Sequence, residues 1–367
     1  MDRRLVIGTA LVVLLAAGPV LAGFEAGELI YIPVASHSPG AVASQWRTDL
    51  YITNVADVEI DVAIAYLPSG LFSNSLVFAD RQTWLGGRES DEFGLINEEL
   101  ADIPINGSIV LTDIVGEYWV NLLGASGNGA LVIFAYEADT LEPDGSRVNK
   151  NAIANARIYN ETTIWVEDPE NEGEFIQKNA QYGQTMPGVP WYNLADGSAV
   201  TDTYDLSFEE LTGGREGARM RFNIGVLNAS DPLTSLTIRI QPFQPDGEPY
   251  LDETDEEIVT ILNMPPASHV QFFRPFRDDW GLEDVDLASV RVSIVAWASA
   301  AAEPIPMMTS YGSIVVNSTN DPSSVLPSFA YTYDIDCVWG GSDPEGIGKG
   351  ASANRRPVEI PSLNQVE

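Results

Sequence analysis

Residues 47–68 read RTDLYITNVADVEIDVAIAYLP, and residues 221–242 read RFNIGVLNASDPLTSLTIRIQP. Sliding the chain by 174 positions lays one stretch over the other without a gap. Arg47 then meets Arg221, Asn54 meets Asn228, Asp57 meets Asp231, Ile64 meets Ile238 and Pro68 meets Pro242. Apolar residues fall on matching alternate positions as well, with Leu50 over Ile224, Ile52 over Val226 and Val62 over Leu236. A period of two marks strands with one face on a core and the other toward water. The shared pattern, with Asn-x-x-Asp between the two strands, predicts the same hairpin in two copies of one domain.

Outward from this repeat the same period continues. Leu236, Ile238 and Ile240 alternate with Thr237, Arg239 and Gln241, and Val290, Val292 and Ile294 alternate with Arg291 and Ser293. Residues 130–135 echo residues 290–296 more loosely. Tight-turn chemistry separates the strands at Pro143-Asp144-Gly145, Asp196-Gly197 and Pro245-Asp246-Gly247, while helical periodicity is not sustained anywhere. Many short strands with frequent turn signals predict an all-β chain of two tandem immunoglobulin-like β-sandwich domains with a C-terminal tail. The expected division is a first domain over 23–164, an acidic linker over 165–180, a second domain over 181–330 and an extension over 331–367. The linker is placed by Glu167-Asp168-Pro169-Glu170-Asn171-Glu172-Gly173-Glu174.

Arg3 and Arg4, the apolar run from Leu5 to Ala17, and Val20-Leu21-Ala22 before Gly23 have the layout of a secretory signal peptide over 1–22. Gly18-Pro19 breaks the run short of the roughly 20 residues that a bilayer span needs. The expectation is a secreted protein, periplasmic or extracellular, with no membrane insertion after signal cleavage. The chain carries 19 Lys and Arg against 53 Asp and Glu, a formal charge of −34. Removing Asp2, Arg3 and Arg4 leaves 17 against 52, or −35. Such a surface repels phosphate backbones and anionic lipid, which disfavours nucleic-acid and membrane-surface binding. Cys337 is the only cysteine, so an intramolecular disulfide is excluded and burial must hold the fold. Whether Cys337 is buried or links two chains stays open at this stage.

The run Ile32-Pro33-Val34-Ala35-Ser36-His37-Ser38-Pro39-Gly40, followed by Gln45 to Leu50 and then Asn54, resembles a group of uncharacterised secreted bacterial proteins with repeated immunoglobulin-like β-sandwich domains. The resemblance spans both halves and implies export and fold. It implies no activity, because no activity is established for that group.

No His-Glu-x-x-His, Gly-x-Ser-x-Gly or phosphate-cradling Gly-rich motif occurs, and two histidines, His37 and His269, cannot make a histidine-rich metal centre. Asp246, Glu248, Asp252 and Asp255 follow the Pro-Asp-Gly turn and form the candidate calcium site, since calcium accepts many oxygen ligands in flexible geometry. Their spacing is not that of an EF-hand, and no cofactor other than this calcium is expected. Trp191-Tyr192 is the candidate ligand platform, an aromatic surface offered to a sugar. The resulting expectation is an exported, non-enzymatic binding or structural protein of the cell envelope or extracellular space, with an unknown protein or glycan partner. A carbohydrate-binding protein or weak glycoside hydrolase is the alternative.

Overall fold

The computed structural model describes residues 25–40, 44–70, 102–120, 127–143, 147–167, 174–196, 207–230, 233–300, 306–318 and 320–331. They form an all-β structure of four antiparallel sheets, two in each of two copies. Copy one holds β1 (Leu29–Ser36), β2 (Ser38–Pro39), β3 (Gln45–Asn54), β4 (Ile60–Pro68), β5 (Ser108–Leu111), β6 (Asn128–Leu141), β7 (Arg147–Asn149), β8 (Ala152–Glu167), β9 (Phe175–Pro187) and β10 (Val189–Pro190). Copy two holds β11 (Ala195–Asp196), β12 (Ser207–Glu216), β13 (Met220–Asn228), β14 (Thr234–Phe243), β15 (Thr260–Met264), β16 (His269–Phe273), β17 (Val285–Ser299), β18 (Met307–Val316), β19 (Asp321–Val325) and β20 (Ser328–Tyr331).

The two copies have one topology. Order β5-β3-β8-β9 in copy one returns as β16-β13-β18-β19, and β10-β1-β6-β4 returns as β20-β12-β17-β14. Register repeats too: Leu50 faces Ala156 and Leu111, as Ile224 faces Gly312 and Phe272. Ile64 faces Ile133, and Ile238 faces Ile294. Leu50, Ile52, Ile64, Ile224, Val226 and Ile238 are all fully buried. They belong to two cores, each filled from both of its copy's sheets.

The hairpin expectation fails in an instructive way. β3 and β4 lie in opposite sheets of copy one, as β13 and β14 do in copy two. Alternation fixes which side chains point to the core, but two strands facing that core from opposite sides alternate just as two neighbours do. An asparagine holds the crossing in both copies. Asn54 Nδ2 donates to the carbonyls of Val58 and Ile103, and the Ala56 amide donates to Asn54 Oδ1. Asn228 Nδ2 donates to the carbonyls of Thr234 and Pro265, and the Ser230 amide donates to Asn228 Oδ1. Both asparagines are buried, where backbone carbonyls need such partners.

The span read as a linker, 165–180, is paired strand over 165–167 and 175–180. β8 and β9 pair continuously from Asn155 with Pro187 to Glu167 with Phe175. Paired strand and tether can share an acidic composition, and only the pairing separates them; residues 168–173 lie outside the described residues. Residues 181–190, expected to open the second domain, likewise finish copy one: β9 pairs with β8, and β10 pairs with β1. The copies are joined by residues 191–194, between β10 and β11. A third apolar cluster fills the seam, where Tyr31, Ala65, Leu67 and Trp191 of copy one and its connection meet Leu227 and Met307 of copy two.

Candidate functional site

On β13, Phe222, Ile224 and Val226 point into the core of copy two, so Arg221, Asn223 and Gly225 point to the other face of the sheet. That outer face is set against copy one. Gly225 is required there because the Tyr311 ring lies across it: a Cβ would stand 1.9 Å from Tyr311 Cε1. Tyr311 thereby reaches the core cluster of copy one, while its ring stacks on His269 at 6.2 Å and 4°. Burial pushes the His269 pKa down to about 4, against a smaller opposing pull from the Pro33 carbonyl.

Beside this contact is a cavity of about 380 Å³. Copy one lines it with Ser36, Ser38, Trp46, Asn128 and Gln184, and copy two with Arg221, Asn223, Phe273, Tyr311 and Ser313. Ser36 and Ser313 are at least nine-tenths buried, and so are four larger side chains: Gln184 is 9% exposed, Arg221 8%, Asn223 7% and Tyr311 1%. Of these four, each has a polar atom with no hydrogen-bond partner among the described residues, namely Gln184 Oε1, Arg221 Nε, Asn223 Oδ1 and the Tyr311 hydroxyl. Buried polar atoms are ordinarily paired, and leaving one unpaired costs about 1–3 kcal/mol. The four residues line one cavity, while these particular atoms are sealed within its wall.

Arg221 gives the cavity its charge. Its Nη1 donates to Asn317 Oδ1 at 3.2 Å and its Nη2 to Asn320 Oδ1 at 3.0 Å, and its guanidinium lies 5.6 Å from the Phe273 ring centroid. Among the described residues no carboxylate makes an ion pair with it. Burial and the nearby Arg274 charge lower its pKa, as expected for a cation held without a counterion. Among the described residues none that lines the cavity is acidic, although the chain carries 53 Asp and Glu.

The residues singled out from sequence lie elsewhere. Trp191 is buried in the seam between the copies and donates its Nε1–H to Glu28 Oε1 at 3.0 Å. Tyr192 meets it edge-on, at 5.9 Å and 79°, and donates its hydroxyl to the Ala26 carbonyl at 2.5 Å. Trp191 is therefore a packing residue, since its apolar area found a partner in the chain itself. Asp246, Glu248, Asp252 and Asp255 are exposed. Asp252 Oδ1 accepts from the Thr254 hydroxyl and amide and from the Glu256 amide, closing its own turn, and these donors lower its pKa. Among the described residues no group of three or more His, Cys, Asp or Glu is arranged to hold a metal ion. His37 shares the Asp113 carboxylate with Arg47, with Nδ1 to Oδ1 at 2.9 Å. Cys337 lies outside the described residues. Sequence reading met Arg221 only as a matched residue of the repeat; the usable signal was its neighbours, which differ from those of Arg47. The chain matches no protein-family model, no curated protein and no solved structure.

Proposed function

We propose that this chain is an exported, non-catalytic binding protein of two tandem immunoglobulin-like β-sandwich domains, and that it recognises a small polar ligand in the cavity between them. The observation that carries the reading is a cavity of about 380 Å³ lined from both copies by hydroxyls, carboxamides and one buried arginine that makes no ion pair among the described residues. That volume suits a small molecule or a short segment of glycan rather than a folded partner. Trp46 and Phe273 offer aromatic surface, while hydroxyls and carboxamides offer hydrogen bonds, the mixture that suits a sugar. Hydrolysis of a glycoside uses two facing carboxyl groups, and the described lining residues supply hydroxyls, carboxamides and a guanidinium, which favours binding. The immunoglobulin-like assignment draws on strands that alternate between two facing sheets and on the doubled topology. Export draws on the N-terminal sequence, and mass spectrometry of the secreted chain is expected to find Gly23 first.

The binding reading is tested by thermal-shift and calorimetric titration against a panel of neutral and acidic mono- and disaccharides. At least one is expected to bind the parent chain and to lose affinity in Trp46→Ala. A panel without any binder, or a binder indifferent to Trp46, would remove the cavity as the recognition site.

A further inference from the structure

We infer that the ligand of this cavity is an acidic sugar, an oxyanion on a hydroxylated ring, and that Arg221 binds the oxyanion. The inference rests on the cavity being the ligand site and adds the charge of what enters it.

Register supplies the first line of support. Leu50 faces Leu111 in copy one as Ile224 faces Phe272 in copy two, so the residue two places on, Asp113, corresponds to Arg274. Asp113 and Arg274 both take left-handed backbone, at φ 45° and 57°, and each leads into a short helical turn. By the same reasoning Arg47 faces Tyr159 as Arg221 faces Val315, which makes Glu161 the counterpart of Asn317. In copy one the arginine is held by Asp113 and, at 3.0 Å, by Glu161. In copy two both carboxylates are gone: a cation stands for Asp113 and a neutral carboxamide for Glu161. Arg274 has one acidic neighbour, Glu216 at 3.7 Å. A chain of formal charge −34 thus keeps a buried arginine beside a second arginine and gives the first no carboxylate among the described residues. An oxyanion is the group that such a guanidinium lacks, and charge-assisted hydrogen bonds to it are the strong kind.

Chemistry of the lining supplies the second. The Arg221 guanidinium is a donor and suits the oxyanion, whereas the carboxamides of Asn128, Gln184 and Asn223 both donate and accept and suit hydroxyl groups. One ligand meets both demands when acid and hydroxyls sit on the same small ring. Carboxylated and sulfated sugars share this chemistry.

Calorimetry on the full exported protein at fixed ionic strength separates the outcomes. The probes are glucuronate, galacturonate, galactose 6-sulfate, galactose and the methyl ester of galacturonate. At least one acid is expected to bind roughly tenfold or more tightly than its neutral counterpart, and the preferred acid tells carboxylate from sulfate. Arg221→Gln should bring the acid down to the neutral level. Asn317→Glu restores the carboxylate of copy one beside the arginine and should do the same while keeping the fold, whereas Arg215→Gln, at a half-buried residue that does not line the cavity, should change nothing. Neutral sugars that bind as well as the acids, or acid binding that survives both cavity variants, would overturn the acidic-ligand inference and leave the binding reading standing. Failure of acidic and neutral sugars alike would overturn both.

Discussion

Arg47 and Arg221 stand at one position of one sheet in two copies, yet the first is enclosed by carboxylates and the second by carboxamides and another arginine. A second pair differs in the same manner. Ile32 of β1 faces Leu131, and its counterpart on β12, facing Val292, is Glu209. Across the core, Ala154 of copy one corresponds to Ser310, whose amide and hydroxyl both donate to Glu209 Oε2. At these two positions copy one is apolar, and its arginine is neutralised, whereas copy two places a buried acid and a serine there and leaves its arginine open. A backbone that tolerates both arrangements sets the topology, and a handful of side chains set what each copy can do.

The shared part of the comparison should give the largest effects. Ile64→Ala and Ile238→Ala empty equivalent, fully buried sites, and each is expected to cost about 2–5 kcal/mol in chemical denaturation. A neutral result at either one would break the equivalence of the two cores.

Next is the acid inside copy two. Burial raises the Glu209 pKa to about 7 from 4.5, so its stabilising contribution is complete below about pH 4.5 and lost as pH rises to 7. The full loss is about 3 kcal/mol. His269 runs oppositely: its depressed pKa preserves stability above about pH 6.5 and withdraws it as pH falls to 4. Between pH 4.5 and 6.5 the two slopes nearly cancel. Glu209→Gln should lift stability by about 3 kcal/mol at pH 7.5 relative to the parent chain and leave it unchanged near pH 4. A variant-minus-parent difference that does not vary with pH would show that Glu209 is not held neutral by burial.

Replacing the arginines should then give opposite signs. Arg47→Gln strips the buried Asp113 of its cation and is expected to destabilise by about 1–3 kcal/mol. Arg221→Gln removes a buried cation without a counterion and should be neutral or stabilising. Equal losses in paired melts would end the contrast on which the acidic-ligand inference leans. The smallest effect concerns calcium: with Asp252 closing its own turn, millimolar calcium is expected to raise the melting temperature no more than sodium chloride of equal ionic strength. A clear excess over the sodium salt would mean that the acidic loop binds calcium specifically.

Duplication was legible because the inward residues Leu50, Ile52 and Ile64 recur with their period at Ile224, Val226 and Ile238. The crossing between sheets was not, since alternation says nothing about which side of a core a strand occupies. The cavity was less legible still. It joins the outer face of β13, β16 and β18 to residues of copy one, from Gln184 back to Ser36, on several separate strands and connections, and no local motif spans them. Trp191 misled because a tryptophan beside a tyrosine reads the same whether it faces water or, as here, a seam within the chain.

The connection between the copies has a mechanical consequence. Only residues 191–194 separate β10 from β11, and Trp191 and Leu194 are buried at the junction. So short and well anchored a join leaves no slack to take up when the chain is stretched. Tension would pass directly from the hydrogen bonds of β10 on β1 to those of β11 on β18, loading sheet edges before any tether could uncoil.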